Sequence, residues 1–231
     1  MRILVVSDIH ANWTALRALK DKWDVCLCIG DLVDYGVEPA PCIEWVKREA
    51  KHTVRGNHDH GSAHNVSVIG GRGFRYLTGV TRPITRQLIS PEDRLYLGRL
   101  PMTRVVTLDE TRFFLVHATP QDPLDEYAPV DPGFWSRRLA DVEADIVCVG
   151  HTHQPFALEA GNRLVVNPGS VGLPRDGDPR GSYAIIENRK VELKRFEYPV
   201  EEAVQAVMKS GLGEQPKEMM VQSYRNGGRF K

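Results

Sequence analysis

Apolar and polar positions alternate in blocks along the first quarter of the chain. RILVVSD (2–8) is a short β-branched run ending in a carboxylate, as expected of a strand buried on both faces. In NWTALRALKDKW (12–23), Trp13, Leu16, Leu19 and Trp23 recur near helical spacing, with Asn12 placed to cap. DVCLCIGD (24–31) predicts a second strand, APCIEWVKREA (40–50) a helix entered through prolines, and HTVRGN (52–57) a third strand. Strand–helix–strand–helix–strand with short links predicts an α/β sheet, parallel at least in this half.

Residues 61 to about 111 break that rhythm. GSAHNVSVIGGRGFRYLTG is glycine-rich and indecisive, and SPEDRLYLGRLP reads as a capped short helix, so this stretch is expected to be an inserted helical cap. Strands resume with RFFLVHA (112–118), DIVCVGH (145–151) and NRLVVNPGS (162–170). Between the first two lies TPQDPLDEYAPVDPG, a Pro/Asp-rich loop long enough to be functional. GSYAIIENRKVELKRFEY predicts a terminal hairpin turning at Asn188, PVEEAVQAVMKSG a closing helix, and NGGRFK a frayed end. The expectation is one domain, 1–231, with the cap at about 61–111 and a C-terminal helix and tail at about 199–231.

Composition narrows the class. The 231 residues can bury a core without staples. Thirty basic residues balance thirty acidic ones, which argues against a general nucleic-acid binder. Cys26, Cys28, Cys42 and Cys148 sit inside or beside apolar segments, as small buried hydrophobes of a reducing compartment, and no second Cys/His pair with zinc-finger spacing accompanies them. The N-terminal apolar run is shorter than a signal peptide, and nothing approaches the ~20 apolar residues of a membrane span. A cytoplasmic protein is expected.

The candidate chemistry lies at the strand ends. Asp8 and His10, Asp31, Asn57 and His58, His117, and His151 and His153 each close a predicted strand. In an α/β sheet, ligands bind beyond the carboxyl ends of strands, so these residues can converge. In extended chain the i, i+2 pairs Asp8/His10 and His151/His153 would each face one centre. Five of the eight histidines occupy these positions. Carboxylate, imidazole and amide donors together suit Mn, Fe or Zn better than Ca or a thiolate-loving metal.

DIH (8–10), GDLVDYG (30–36), GNHD (56–59), the His117 strand end and GHTH (150–153) resemble, in order and spacing, the calcineurin-like metallophosphoesterases, over residues 1 to about 195. NPGSVGLPR (167–175) is similar to the small prokaryotic phosphodiesterase branch. The resemblance implies a four-layer α/β/β/α sandwich of two mixed sheets with two metal ions at the strand tips, manganese favoured. It assigns Asp8, His10 and His153 to one ion, Asn57, His117 and His151 to the other, and Asp31 to both. It implies phosphate-ester hydrolysis by a hydroxide held between the ions, with His58 free to protonate the leaving oxygen. A histidine at this position fits poor leaving groups; its alternative role is to hydrogen-bond a ligand. Ala118 departs from the glycine frequent after the family's strand-end histidine, with little consequence.

Other residues are less sharply assigned. Asp59 is expected to be structural, capping the next turn, with holding the His58 imidazole as its alternative, and His52, His60 and His64 are expected to be surface or cap residues. Asn57 and Arg175 are expected to meet substrate, Arg175 through the match of its guanidinium to phosphate, with a surface ion pair as its alternative. Arg72, Arg75, Arg82 and Arg86 colour the insertion basic, as an anion-attracting face or a solvated cap. The expected substrate is a small phosphorylated molecule of phosphodiester or nucleotide type. A Ser/Thr-type protein phosphatase, a non-catalytic scaffold and a repair nuclease are rival readings. Membrane and nucleic acid are not expected partners, and an oligomer is allowed.

Overall fold

The computed structural model describes residues 1–229. The chain runs β1 (Arg2–Val6), α1 (Trp13–Leu16), β2 (Val25–Cys28), α2 (Pro39–Glu49), β3 (Ala50–Thr53), α3 (Asn57–His64), α4 (Gly73–Leu88), α5 (Pro91–Arg99), β4 (Thr103–Leu108) and β5 (Thr111–Val116). It continues through α6 (Pro132–Arg138), β6 (Ile146–Cys148), β7 (Phe156–Ala160), β8 (Arg163–Asn167), β9 (Gly181–Glu187), β10 (Lys190–Phe196), α7 (Val200–Lys209) and α8 (Glu214–Arg225).

Two mixed five-stranded sheets result, ordered β10-β9-β1-β2-β3 and β4-β5-β6-β8-β7. Strand alternation builds four layers. Ile3 and Val5 of β1 and Val25 and Leu27 of β2 join Phe113, Leu115, Ile146 and Val166 between the sheets. Their neighbours Leu4, Val6, Cys26 and Cys28 face outward, packing with Leu16, Ile43, Leu77, Leu97, Val204 and Met220. On the far side, Val147, Val149 and Val165 pack on Trp135 and Leu139. This is the expected α/β/β/α sandwich, and all four cysteines lie buried within it. Among the described residues, no helix is long and apolar enough to cross a membrane.

Several local expectations are corrected. The helix expected over 12–23 spans only Trp13–Leu16. Beyond it Asp21 is drawn away by Arg2 (3.1 Å), Lys194 (2.6 Å) and the Tyr183 hydroxyl (2.9 Å). The third strand is Ala50–Thr53, because after Val54 the chain leaves the sheet to start α3 at Asn57. Strands β4 and β7 lie at the edges of the second sheet, with exposed residues alternating along them, so their apolar signal is weak. Helix α8 adds a second C-terminal helix, held by Met220 and Tyr224 one turn apart. The end expected to fray is docked as far as it is described: Gly227 is buried, and its carbonyl accepts from Gly177 N–H at 3.0 Å. Phe230 and Lys231 of that stretch lie outside the described residues.

Candidate metal centre and active site

The strand-end side chains meet on one rim of the sandwich. Asp8 and His10 follow β1, Asp31 follows β2, Asn57 and His58 open α3, His117 follows β5, and His151 and His153 follow β6. The backbone reaches this rim at a cost. Asp8, His10, Ala11, Asp31, Asp34, Tyr35, His151 and His153 all have φ between 47° and 66°. Left-handed conformation in non-glycine residues costs on the order of 1–3 kcal/mol each and collects at functional sites. The extended pairing expected for Asp8/His10 and His151/His153 is therefore replaced by left-handed turns. Asp8 and His10 share a cluster, whereas His151 and His153 enter different ones.

One cluster joins Asp8, His10 and His153; another joins Asp31, His117 and His151. His153 Nε2 lies 3.3 Å from Asp8 Oδ1, and His10 Nε2 lies 3.8 Å from that oxygen. Asp31 Oδ2 stands between the clusters, 3.6 Å from His10 Nε2 and 3.2 Å from His117 Nε2. Asn57 Oδ1 lies 3.2 Å from His117 Nε2. Gly56 permits this approach, because a Cβ there would collide with the Asp31 side chain. His52, His60 and His64 join neither cluster.

The donor set fits a cation. His10, His117 and His153 each place Nδ1 against a backbone carbonyl, of Val33 (3.0 Å), Ile29 (2.7 Å) and Leu173 (2.5 Å). That keeps a proton on Nδ1 and aims each Nε2 inward, as in metal-ligating histidines. His10 and His153 then bring two nitrogen lone pairs to 3.1 Å. His151 Nε2 and Asp8 Oδ1 are buried with no hydrogen-bond partner among the described residues. Buried polar atoms are rarely left this way without a ligand to satisfy them.

The electrostatics agree. Burial alone would raise Asp31, but His117 and His58 hold it well below the usual carboxylate range. Burial would lower His117, yet Asp31 beside it pushes it up to about 10. Burial raises Asp8 to about 6 and lowers His151 to about 3. Asp31 and His117 therefore carry opposite charges in the metal-free chain.

His58 faces the centre, with Nε2 at 3.9 Å from Asp31 Oδ2. Its Nδ1 lies 2.9 Å from Asp34 Oδ2. Asp59 does not touch the imidazole; its carboxylate accepts from the backbone N–H groups of Asp31, Leu32 and Gly56. The strand-end pattern did not single out Asp34, although it lies in GDLVDYG three residues after Asp31.

Arg175 reaches the same rim from the loop between β8 and β9. Its guanidinium stacks 3.7 Å from the Phe74 ring centroid and lies 5.5 Å from that of Tyr35, while Nη1 donates to the Tyr127 hydroxyl at 3.1 Å. No carboxylate pairs with it among the described residues. Tyr127 also meets His151 edge-on at 4.8 Å, and Tyr35 meets both His10 and His58 at 4.7 Å. Phe74 and Tyr127 come from α4 and from the Pro/Asp-rich loop, so only the fold reveals this aromatic wall.

Residues 1–190 match the model of the calcineurin-like phosphoesterase superfamily domain. The chain belongs to the calcineurin-like phosphoesterase superfamily. It is 32% identical over 240 residues to protein MJ0912 of Methanocaldococcus jannaschii, covering 92% of this chain and 94% of that one. It is 28% identical over 198 residues to phosphodiesterase YfcE of Escherichia coli K12, covering 81% and 88%. The crystal structure of a metallophosphoesterase from Sphaerobacter thermophilus superposes with a TM-score of 0.84 at 30% identity, covering 98% of this chain and 99% of that one. As a superfamily member the chain carries the phosphoesterase fold together with His/Asp clusters suited to divalent metal ions.

Proposed function

We propose that this superfamily member hydrolyses phosphate esters, most readily phosphodiesters or nucleotide-type substrates, at a centre holding two ions. The observation that carries the reading is the position of Asp31 Oδ2, within reach of His10 on one side and His117 on the other. Asp8, His10 and His153 would hold one ion and Asn57, His117 and His151 the other, with Asp31 shared. The oxygen, imidazole and amide donors fit Mn, Fe or Zn, and manganese is our choice. When bound, such a pair of ions neutralises phosphoryl oxygens and lowers the pKa of water enough for attack at neutral pH.

The chain's own groups do the rest. Asp34 holds the His58 ring through Nδ1, so that Nε2 faces the place of the departing ester oxygen, to which it would give a proton. Asn57 lies beside His117 and can meet a phosphoryl oxygen. Arg175, with its planar donor fork and no carboxylate partner, would take a second phosphate or the far side of a diester. Phe74, Tyr35 and Tyr127 give that side apolar ring faces, as a nucleotide base would require. Within segment 61–111, helices α4 and α5 act as the cap of a single domain, α4 supplying Phe74 to this wall, whereas β4 belongs to the second sheet. The relative YfcE is named a phosphodiesterase, which supports the diester preference.

Hydrolysis of bis(nitrophenyl) phosphate and nitrophenyl phosphate by the Mn²⁺-loaded chain, with Asp31→Asn as control, tests the reading. A diester preference abolished in the control is expected. Monoester turnover alone, or activity unaffected by Asp31→Asn, would overturn it.

A further inference from the structure

The arginines of the insertion divide into two uses. Arg82 is spent on Asp34, through Nε and Nη2 at 2.9 and 2.7 Å. Yet it also lines a separate cavity of about 490 Å³, together with Arg86 and Arg94, whose polar lining otherwise comes from Asn65, Ser67 and Gln87. None of the metal-centre residues lines this cavity, and neither does any Asp or Glu.

Arg82 is paired with Asp34, but Arg86 and Arg94 have no carboxylate partner among the described residues. Among the described residues, the Arg86 guanidinium gives its hydrogen bonds only to the carbonyls of Ser62 and Ala63. Arg94 has no ion pair among the described residues, and its Nε is buried without a partner. Arg82 and Arg86 are four residues apart on α4, a spacing at which like charges repel. Among the described residues, the one carboxylate hydrogen-bonded to any of the three guanidinium groups is Asp34, which is already shared with His58 and Ser62. Three arginines around one cavity that no acid lines present the kind of donor set that an oxyanion takes.

We infer that the cavity bounded by Arg82, Arg86 and Arg94 is a binding site for inorganic phosphate, separate from the metal centre. The anion takes charge-assisted hydrogen bonds from Arg86 and Arg94, and neutral donors from Asn65, Ser67 and Gln87 complete the shell. Arg82 Nη1, bonded to the Val66 carbonyl at 3.0 Å, is the third cationic donor within reach. Because Arg82 also holds Asp34, the occupied cavity lies two side-chain contacts from His58. The inference does not depend on which ester the metal centre cleaves.

Hydrogen–deuterium exchange of the metal-loaded chain, titrated with inorganic phosphate, separates the two sites along the sequence. The expected result is phosphate-dependent slowing within 65–68 and 79–94, with the half-saturating concentration raised about tenfold in Arg94→Gln, the loss of one charge-assisted hydrogen bond. Arg86→Ala/Arg94→Ala should abolish it. Arg94→Gln removes no ion pair, so its phosphate-free exchange should match the parent chain and report that the fold is kept. Slowing confined to 8–12, 31–36 and 151–153 would place phosphate at the metal centre only and overturn the inference. So would slowing at 65–68 and 79–94 that persists unchanged in both variants.

Discussion

His58 Nδ1 and Asp34 Oδ2 stand 2.9 Å apart, both buried at the edge of the metal centre. A carboxylate at that distance keeps Nδ1 protonated and directs Nε2 toward the centre. If His58 is the general acid, His58→Ala should slow hydrolysis of alkyl esters by about 10²–10⁴-fold, the usual worth of positioned proton transfer. Nitrophenyl esters, whose leaving group needs no proton, should lose far less. Steady-state rates on the two ester types check this, and equal losses would remove His58 as the acid.

The same Asp34 oxygen accepts two hydrogen bonds from Arg82, itself buried. Asp34→Ala should therefore destabilise the chain by about 3–5 kcal/mol, because it leaves a buried guanidinium without its counter-ion. Denaturant unfolding measures this, and a change below about 1 kcal/mol would mean that solvent already screens the pair.

Metal uptake should be linked to protons. In the metal-free chain His117 lies at about 10, so it is protonated at pH 7.5 and must release that proton to become a ligand. His10, His151 and His153 lie below their ordinary value and have none to release. Affinity should therefore rise with pH through the neutral range and fall further below about 6, where Asp8 also protonates. Calorimetry in buffers of different ionisation enthalpy should give about one proton released at pH 7.5. No release would contradict the assignment of His117.

The C-terminal segment packs on the loop that carries Arg175. A Cβ on Gly228, whose φ is +82°, would press on the Arg175 Cα, and Gly228 N–H donates to Ser223 O at 2.8 Å. Gly228→Val should shift that loop and raise KM for diesters severalfold while leaving metal content unchanged. Arg175→Ala should raise KM in the same direction. An unchanged KM in both would detach the loop from substrate binding.

Much of this was legible in the chain because the chemistry sits where strands stop. Asp8, Asp31, His117 and His151 each end an apolar run, so the eye meets them without knowing the fold. Asp34 was not distinguished, since a carboxylate three residues beyond a ligand has no mark until His58 and Arg82 are brought to it. The aromatic wall was equally hidden: Phe74 begins a helix in a glycine-rich stretch, and Tyr127 sits in an irregular loop. Edge strands β4 and β7 half face solvent and lose the continuous apolar run that betrayed β1 and β2. The i, i+2 pairs were visible, but their left-handed backbone was not, because it is imposed by convergence on the centre rather than by local propensity.

The most direct test of the central claim is the metal content of the chain after saturation with Mn²⁺ and removal of free ion, for the parent and for Asp31→Asn. Two ions per parent chain, and fewer than two with diesterase activity lost in Asp31→Asn, are expected. One ion per parent chain, or two retained in Asp31→Asn with full activity, would contradict a pair of ions sharing Asp31.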